Sequence, residues 1–158
     1  MPTPLRLILD TNVVLDLLHF KDAAVLSILK ALAARTARCH ASTETLHEFR
    51  RVLAYPEFKL DEAAQIALFV RYQAWLDEPE ILCSHFNLPR CTDPDDQMFL
   101  ELAASTQAHW LVSKDKALLA LKRFAGLGFK IVTPSEASAL LGGLPPITHA
   151  VSPLPCAL

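Results

Sequence analysis

No C-x-x-C pair, no apolar run of membrane length and no surplus of positive charge occur in these 158 residues. Each absence closes off a class of protein. The four cysteines, Cys39, Cys83, Cys91 and Cys156, are scattered, which suits neither a zinc site nor a disulfide framework and predicts reduced, mostly buried thiols. Apolar runs such as Leu7 to Leu9 fall far short of the roughly 20 residues that a membrane helix needs. No basic-then-apolar leader opens the chain, so the expectation is a cytoplasmic protein with no membrane partner. A net charge of −2 and a pI near 6.3 lack the global basic signature of a nucleic-acid binder.

What is present is apolar material and an uneven charge distribution. Hydrophobic residues make up 52% of the chain and charged residues 20%, enough for a full core in one domain of ordinary size. Residues 77 to 101 carry seven acids against one base, Arg90, and the remaining 133 residues net +4. Basic clusters stand at Arg35 and Arg38, at Arg50 and Arg51, and from Lys114 through Lys130. Taken singly, each such cluster has a plain use as a solvated helix face.

Hydrophobic periodicity predicts alternating strands and helices. Strands are expected at Leu5 to Leu9, Cys39 to Ala41, Ile81 to Cys83, Trp110 to Ser113 and Phe129 to Val132. Helical spacing follows Asp10-Thr11-Asn12 and recurs from Ala23 to Ala34, from Ser42 to about Tyr55, and from Asp61 towards Pro79. It returns after Thr92-Asp93-Pro94-Asp95-Asp96, from Lys116 to Phe124, and from Pro134 to Gly142-Gly143. Trp75 and Trp110 read as core. The pattern implies a three-layer α/β/α fold with a central parallel sheet flanked by helices. It spans residues 1–141, with a Pro-rich C-terminal tail at 142–158.

In such folds ligands gather at the carboxyl ends of the strands, and four acids occupy those edges. Asp10 closes the first strand, Glu48 lies on the helix after the second, Asp96 begins a central helix and Asp115 follows the Trp110 strand. Crowded carboxylates repel one another unless a cation compensates, and hard oxygen donors without His/Cys spacing suit Mg²⁺ or Mn²⁺. Metal-assisted phosphodiester cleavage is the chemistry that such a cluster supports. Each acid also has a plainer use: Asp10 and Asp115 as helix caps, the 93–96 acids as dipole complements, Glu48 as a solvated side chain. Glu44 is the nearest rival to Glu48, and Asp93 and Asp95 crowd Asp96. The six histidines share no ligand spacing, and His47 is expected to point away from its neighbour Glu48.

Four segments in register carry a resemblance. They are Leu9-Asp10-Thr11-Asn12-Val13, the stretch from Ser42 to Phe49, the stretch from Asp93 to Ala103, and the stretch from Leu111 to Leu119. Over about residues 5 to 141 these resemble the PIN domain family, and within it the VapC-type ribonucleases that are toxins of toxin–antitoxin systems. The resemblance implies a divalent-metal-dependent endoribonuclease acting on single-stranded RNA. It implies metal ligands at Asp10, Glu48, Asp96 and Asp115, with Asn12 and Ser113 as further polar residues of the catalytic site. A homodimer and a cognate antitoxin protein are implied by the same likeness. Arg50, Arg51, Lys114, Lys116 and Lys122 are then candidates to hold the RNA backbone. The competing readings are a haloacid-dehalogenase-like phosphatase with Asp10 as nucleophile, whose pattern wants an acid where Asn12 stands, and a non-catalytic PIN-like binding module.

Overall fold

The aliphatic run at Leu5–Leu9 forms strand β1, the longest of a four-stranded, wholly parallel sheet. The computed structural model describes residues 3–20, 22–82 and 87–143. Beside β1 lie β2 (Ala37–Cys39) and β3 (Trp110–Val112), and β4 (Lys130–Val132) completes the order β2-β1-β3-β4. Leu5 pairs with Ala37, Leu7 with Trp110, and Trp110 with Lys130. A sheet covered on both faces buries successive side chains on opposite sides, which is why these strands read as continuous apolar runs.

The alternation divides the core. Leu5, Leu7, Leu9, Trp110, Val112 and Val132 join one apolar layer, while Ile8, Leu111 and Ile131 join the other. The first face is covered by α1 (Thr11–Leu15), α2 (Leu26–Ala33), α3 (Thr43–Leu53), α4 (Glu62–Gln73) and α7 (Pro134–Gly143). The second is covered by α5 (Gln97–Ser105) and α6 (Lys116–Leu119). Three layers result, as the pattern predicts. Trp110 is core, whereas Trp75 is partly buried against the first layer. Cys39 and Cys91 are free, buried thiols.

Several expectations need correction. The second strand is Ala37–Cys39 rather than Cys39 to Ala41, because Ser42 must turn out of the sheet to cap α3. Exposed Arg38 between two buried residues hid that strand. Ile81 and Leu82 form no strand and are 61% and 44% exposed; Cys83 lies outside the described residues. The place beside β2 goes instead to Leu76, which bridges Cys39 in parallel, and Asp77 N–H donates to the Cys39 carbonyl. The helix expected from Lys116 to Phe124 ends at Leu119 and continues as tightened turns. After α1 the backbone widens into a π-helical turn, Asp16–Phe20, and Val13, Val14, Leu15, Leu17 and Leu18 along these two elements are all buried. The tail from 144 lies outside the described residues. Among those described, no helix is long and apolar enough to cross a membrane.

Helix α3 is specified locally by a capping box. The Ser42 hydroxyl accepts from Thr45 N–H at 3.1 Å, and Thr45 Oγ1 accepts from Ser42 N–H at 2.9 Å. Ser42→Ala is expected to cost about 1 kcal/mol, read as a lower urea midpoint at unchanged slope.

Candidate active site

The strand order creates a switch point. From β1 the chain moves to β2 on one side, then crosses back so that β3 and β4 build outwards on the other. The helices after β1 and β3 therefore leave to opposite faces, opening a crevice at the carboxyl ends of these two strands. Asp10 and Ser113 sit there. Asp10 extends the ladder by donating its N–H to the Val112 carbonyl at 3.0 Å, and its own carbonyl accepts from Val13 and Val14.

The Asp10 side chain makes no capping bond to α1. Its Oδ2 instead accepts the Ser113 hydroxyl at 2.6 Å, and that hydroxyl oxygen accepts from Asp115 N–H at 2.9 Å. Ser113 is wholly buried. Asp115 does cap α6, its Oδ1 accepting from Ala117 N–H at 2.8 Å. The relay fixes the β3–α6 turn against the end of β1.

Two further acids come from the sides. Glu48, one α3 turn beyond exposed Glu44, accepts the hydroxyl of buried Thr11 at 2.5 Å through Oε2. Asp96 stands at the start of α5 without capping it. Asp93 and Asp95 are exposed, and Asp93 spends Oδ1 on the Asp95 amide. Asp96 is only 7% exposed, and its Oδ2 is buried with no hydrogen-bond partner.

The electrostatics tie the four together. Burial pushes the Asp10 carboxyl up to about 6; the Ser113 hydroxyl and Thr11 amide oppose the rise, while Glu48 and Asp115 reinforce it. Asp96 is pushed up to about 7, first by burial and then by the charges of Asp10, Asp115 and Asp93. Two of the four carboxyls, Asp10 and Asp96, are thus raised by burial and by neighbouring acids. Among the described residues no group of three His, Cys, Asp or Glu side chains is already gathered as a metal cage. The donor set is nonetheless all carboxylate oxygen, with one buried oxygen unpartnered, and that chemistry fits a hard divalent cation.

Beside Glu48 runs an open groove of about 740 Å³, bordered among others by Glu44, His47, Arg50, Arg51, Asp95 and Met98. His47 thus faces the groove, contrary to expectation, because residues 44, 47, 48 and 51 share one face of a helix. The Arg50 guanidinium lies 4.4 Å over the Phe69 ring while still bordering the groove. Lys114 pairs with Asp16 at 2.6 Å, so its charge serves a buried acid. Lys116 and Asn12 are exposed, Asn12 supplying no carboxylate of the kind that the haloacid-dehalogenase pattern requires. Lys122 pairs with Glu136.

Sequence reasoning missed Thr11 and Asp16. The signals were a hydroxyl immediately after the strand-closing acid, and an acid inside a wholly apolar helix. Asp77 of the acid-rich segment pairs with the first basic cluster, with Arg35 at 3.5 Å and Arg38 at 3.2 Å.

No curated protein and no solved structure matches the chain. A family model described as PIN domain matches residues 6–117, well over half of the chain and including Asp10, Glu48, Asp96 and Asp115. A parallel sheet with acids drawn together at its switch point, within a matched span of that extent, leaves one assignment: the chain belongs to the PIN domain family, whose members are generally nucleases.

Proposed function

We propose that this protein is a divalent-metal-dependent endoribonuclease that cleaves single-stranded RNA, acting as the toxin of a toxin–antitoxin pair. The observation that carries the reading is the unpartnered Oδ2 of buried Asp96, a carboxyl that burial and the charges of Asp10 and Asp115 push up. Asp10, Asp96 and Asp115 would hold Mg²⁺ or Mn²⁺, and Glu48 would act through a metal or orient the attacking water. A bound ion of this kind polarises the phosphodiester and lowers the pKa of water.

The chain's own residues supply the rest. Ser113 holds one oxygen of Asp10 and fixes the orientation of its carboxylate. Asn12, exposed one residue beyond Thr11, completes the polar rim. Arg50 and Arg51 border the groove, and exposed Lys116 follows Asp115; these hold the phosphate backbone, so binding weakens with salt. Lys114 contributes through the site's outer field, because Asp16 already engages it. The nuclease unit runs to the end of α7 at Gly143, two residues beyond the boundary expected at 141. The protein works in the cytoplasm as a homodimer restrained by a cognate antitoxin.

The test is single-turnover cleavage of end-labelled single-stranded RNA and of DNA of the same sequence. Expected are RNA cleavage with Mg²⁺ or Mn²⁺, none after EDTA, and recovery when metal is returned. Chelator-insensitive cleavage, or cleavage of DNA alone, would overturn the reading. The toxin role predicts a short adjacent reading frame for a DNA-binding protein that silences the activity when co-purified.

A further inference from the structure

We infer that Thr11 is a positioning residue that orients the Glu48 carboxylate for the metal-loaded site; the inference rests on the nuclease reading above. Thr11 is the first residue of α1, only 6% exposed, and its hydroxyl reaches 37 residues along the chain to Glu48 Oε2. Its amide meanwhile favours the charged form of Asp10. One residue therefore touches two of the four carboxylates from between them.

The contact is not needed to place helix α3. That helix is anchored by buried Thr45, Phe49 and Leu53 and by its own capping box. What the hydroxyl adds is orientation. Glu48 is half-buried with several rotatable bonds, and a donor on Oε2 selects one rotamer without engaging Oε1. Ser113 does the same for Asp10, occupying Oδ2. The chain uses one device twice, a buried hydroxyl holding one oxygen of a carboxylate. Groups that orient metal ligands in this way are worth roughly 10–100-fold in metal affinity or activity.

Thr11→Val keeps the shape and removes the hydroxyl, whereas Thr11→Ser keeps the hydroxyl. Mn²⁺ binding without RNA, followed by the electron paramagnetic resonance of free ion, is measured for wild type, T11V, T11S, E48A, T11V/E48A and D10N. Cleavage kinetics and thermal midpoints accompany it. Expected for T11V are Mn²⁺ affinity and kcat each lower by roughly 10-fold or more, with KM for RNA and the thermal midpoint unchanged. T11S should stay close to wild type. In the E48A background, where no acceptor is left for the hydroxyl, T11V should have no further effect, since the pair acts as one unit. The assignment is overturned if T11V matches wild type, if its effect persists undiminished with E48A, or if T11S fails to restore binding. Failure of the nuclease reading looks different: wild type then binds no Mn²⁺ and cleaves no RNA, and the Thr11 assignment falls with it.

Discussion

Asp10→Asn is expected to fold like the parent and to cleave RNA at least about a thousandfold more slowly. Several kcal/mol of transition-state charge stabilisation depend on the bound metal, and each 1.36 kcal/mol is tenfold in rate. The substitution preserves shape and keeps an oxygen able to accept the Ser113 hydroxyl, so the relay from Asp115 through Ser113 can persist. What leaves is the charge, at a residue only 4% exposed at the end of β1. Burial is also the largest cause of its raised pKa, so a neutral side chain there should favour the metal-free fold near neutral pH. The pair of measurements is single-turnover cleavage, expected to collapse, and thermal unfolding in EDTA, expected to show no loss. Undiminished metal-dependent cleavage in this variant would remove Asp10 from the mechanism.

The second large effect is a reversal of the pH dependence of stability by metal. The folded pKa values of Asp10 and Asp96, about 6 and about 7, lie above those of free carboxylates. A raised carboxylate pKa means that the unfolded chain releases its proton first. The stabilising contribution of these groups is complete below about pH 4 and lost as pH rises through their folded pKa values. For Asp10 the loss is about 3 kcal/mol across that window, with Asp96 acting in the same direction. Metal-free protein should therefore unfold several degrees lower at about pH 8 than at about pH 5. Mn²⁺ should raise the midpoint most at the higher pH, because it binds the ionised form. The same scans on D10N/D96N should be flatter and indifferent to metal. A metal-free midpoint that rises over this range, with no flattening in the double variant, would show that the two carboxylates are not held in a repulsive, water-poor cleft.

Much of the scaffold is visible before folding, because its signals are local. A run such as Leu5 to Leu9 ended by Asp10 needs no distant information to read as a buried strand entering a helix. The Ser42–Thr45 box and the Pro94 turn are equally local. Where a partner decides the outcome, the reading slips. Ile81 and Leu82 look like a strand, yet the position beside β2 was already held by Leu76. Arg38 concealed a strand whose exposed face tolerates a charge, especially one paired with Asp77.

The acids show the same boundary. Composition and order alone placed acids at strand ends and helix starts, and the matched family span supports a nuclease. Four features needed the chain closed on itself. They are the juxtaposition of β1 with β3, the separation of Glu48 from Glu44 by the Thr11 hydroxyl, the burial of Asp96 against exposed Asp93 and Asp95, and the capture of Lys114 by Asp16. The physical reason is range. Periodicity and capping act over one or two turns of chain, whereas the Asp10–Ser113 bond joins residues 103 apart and the Thr11–Glu48 bond residues 37 apart. Carboxylate pKa values depend on desolvation, which exists only once both faces of the sheet are covered.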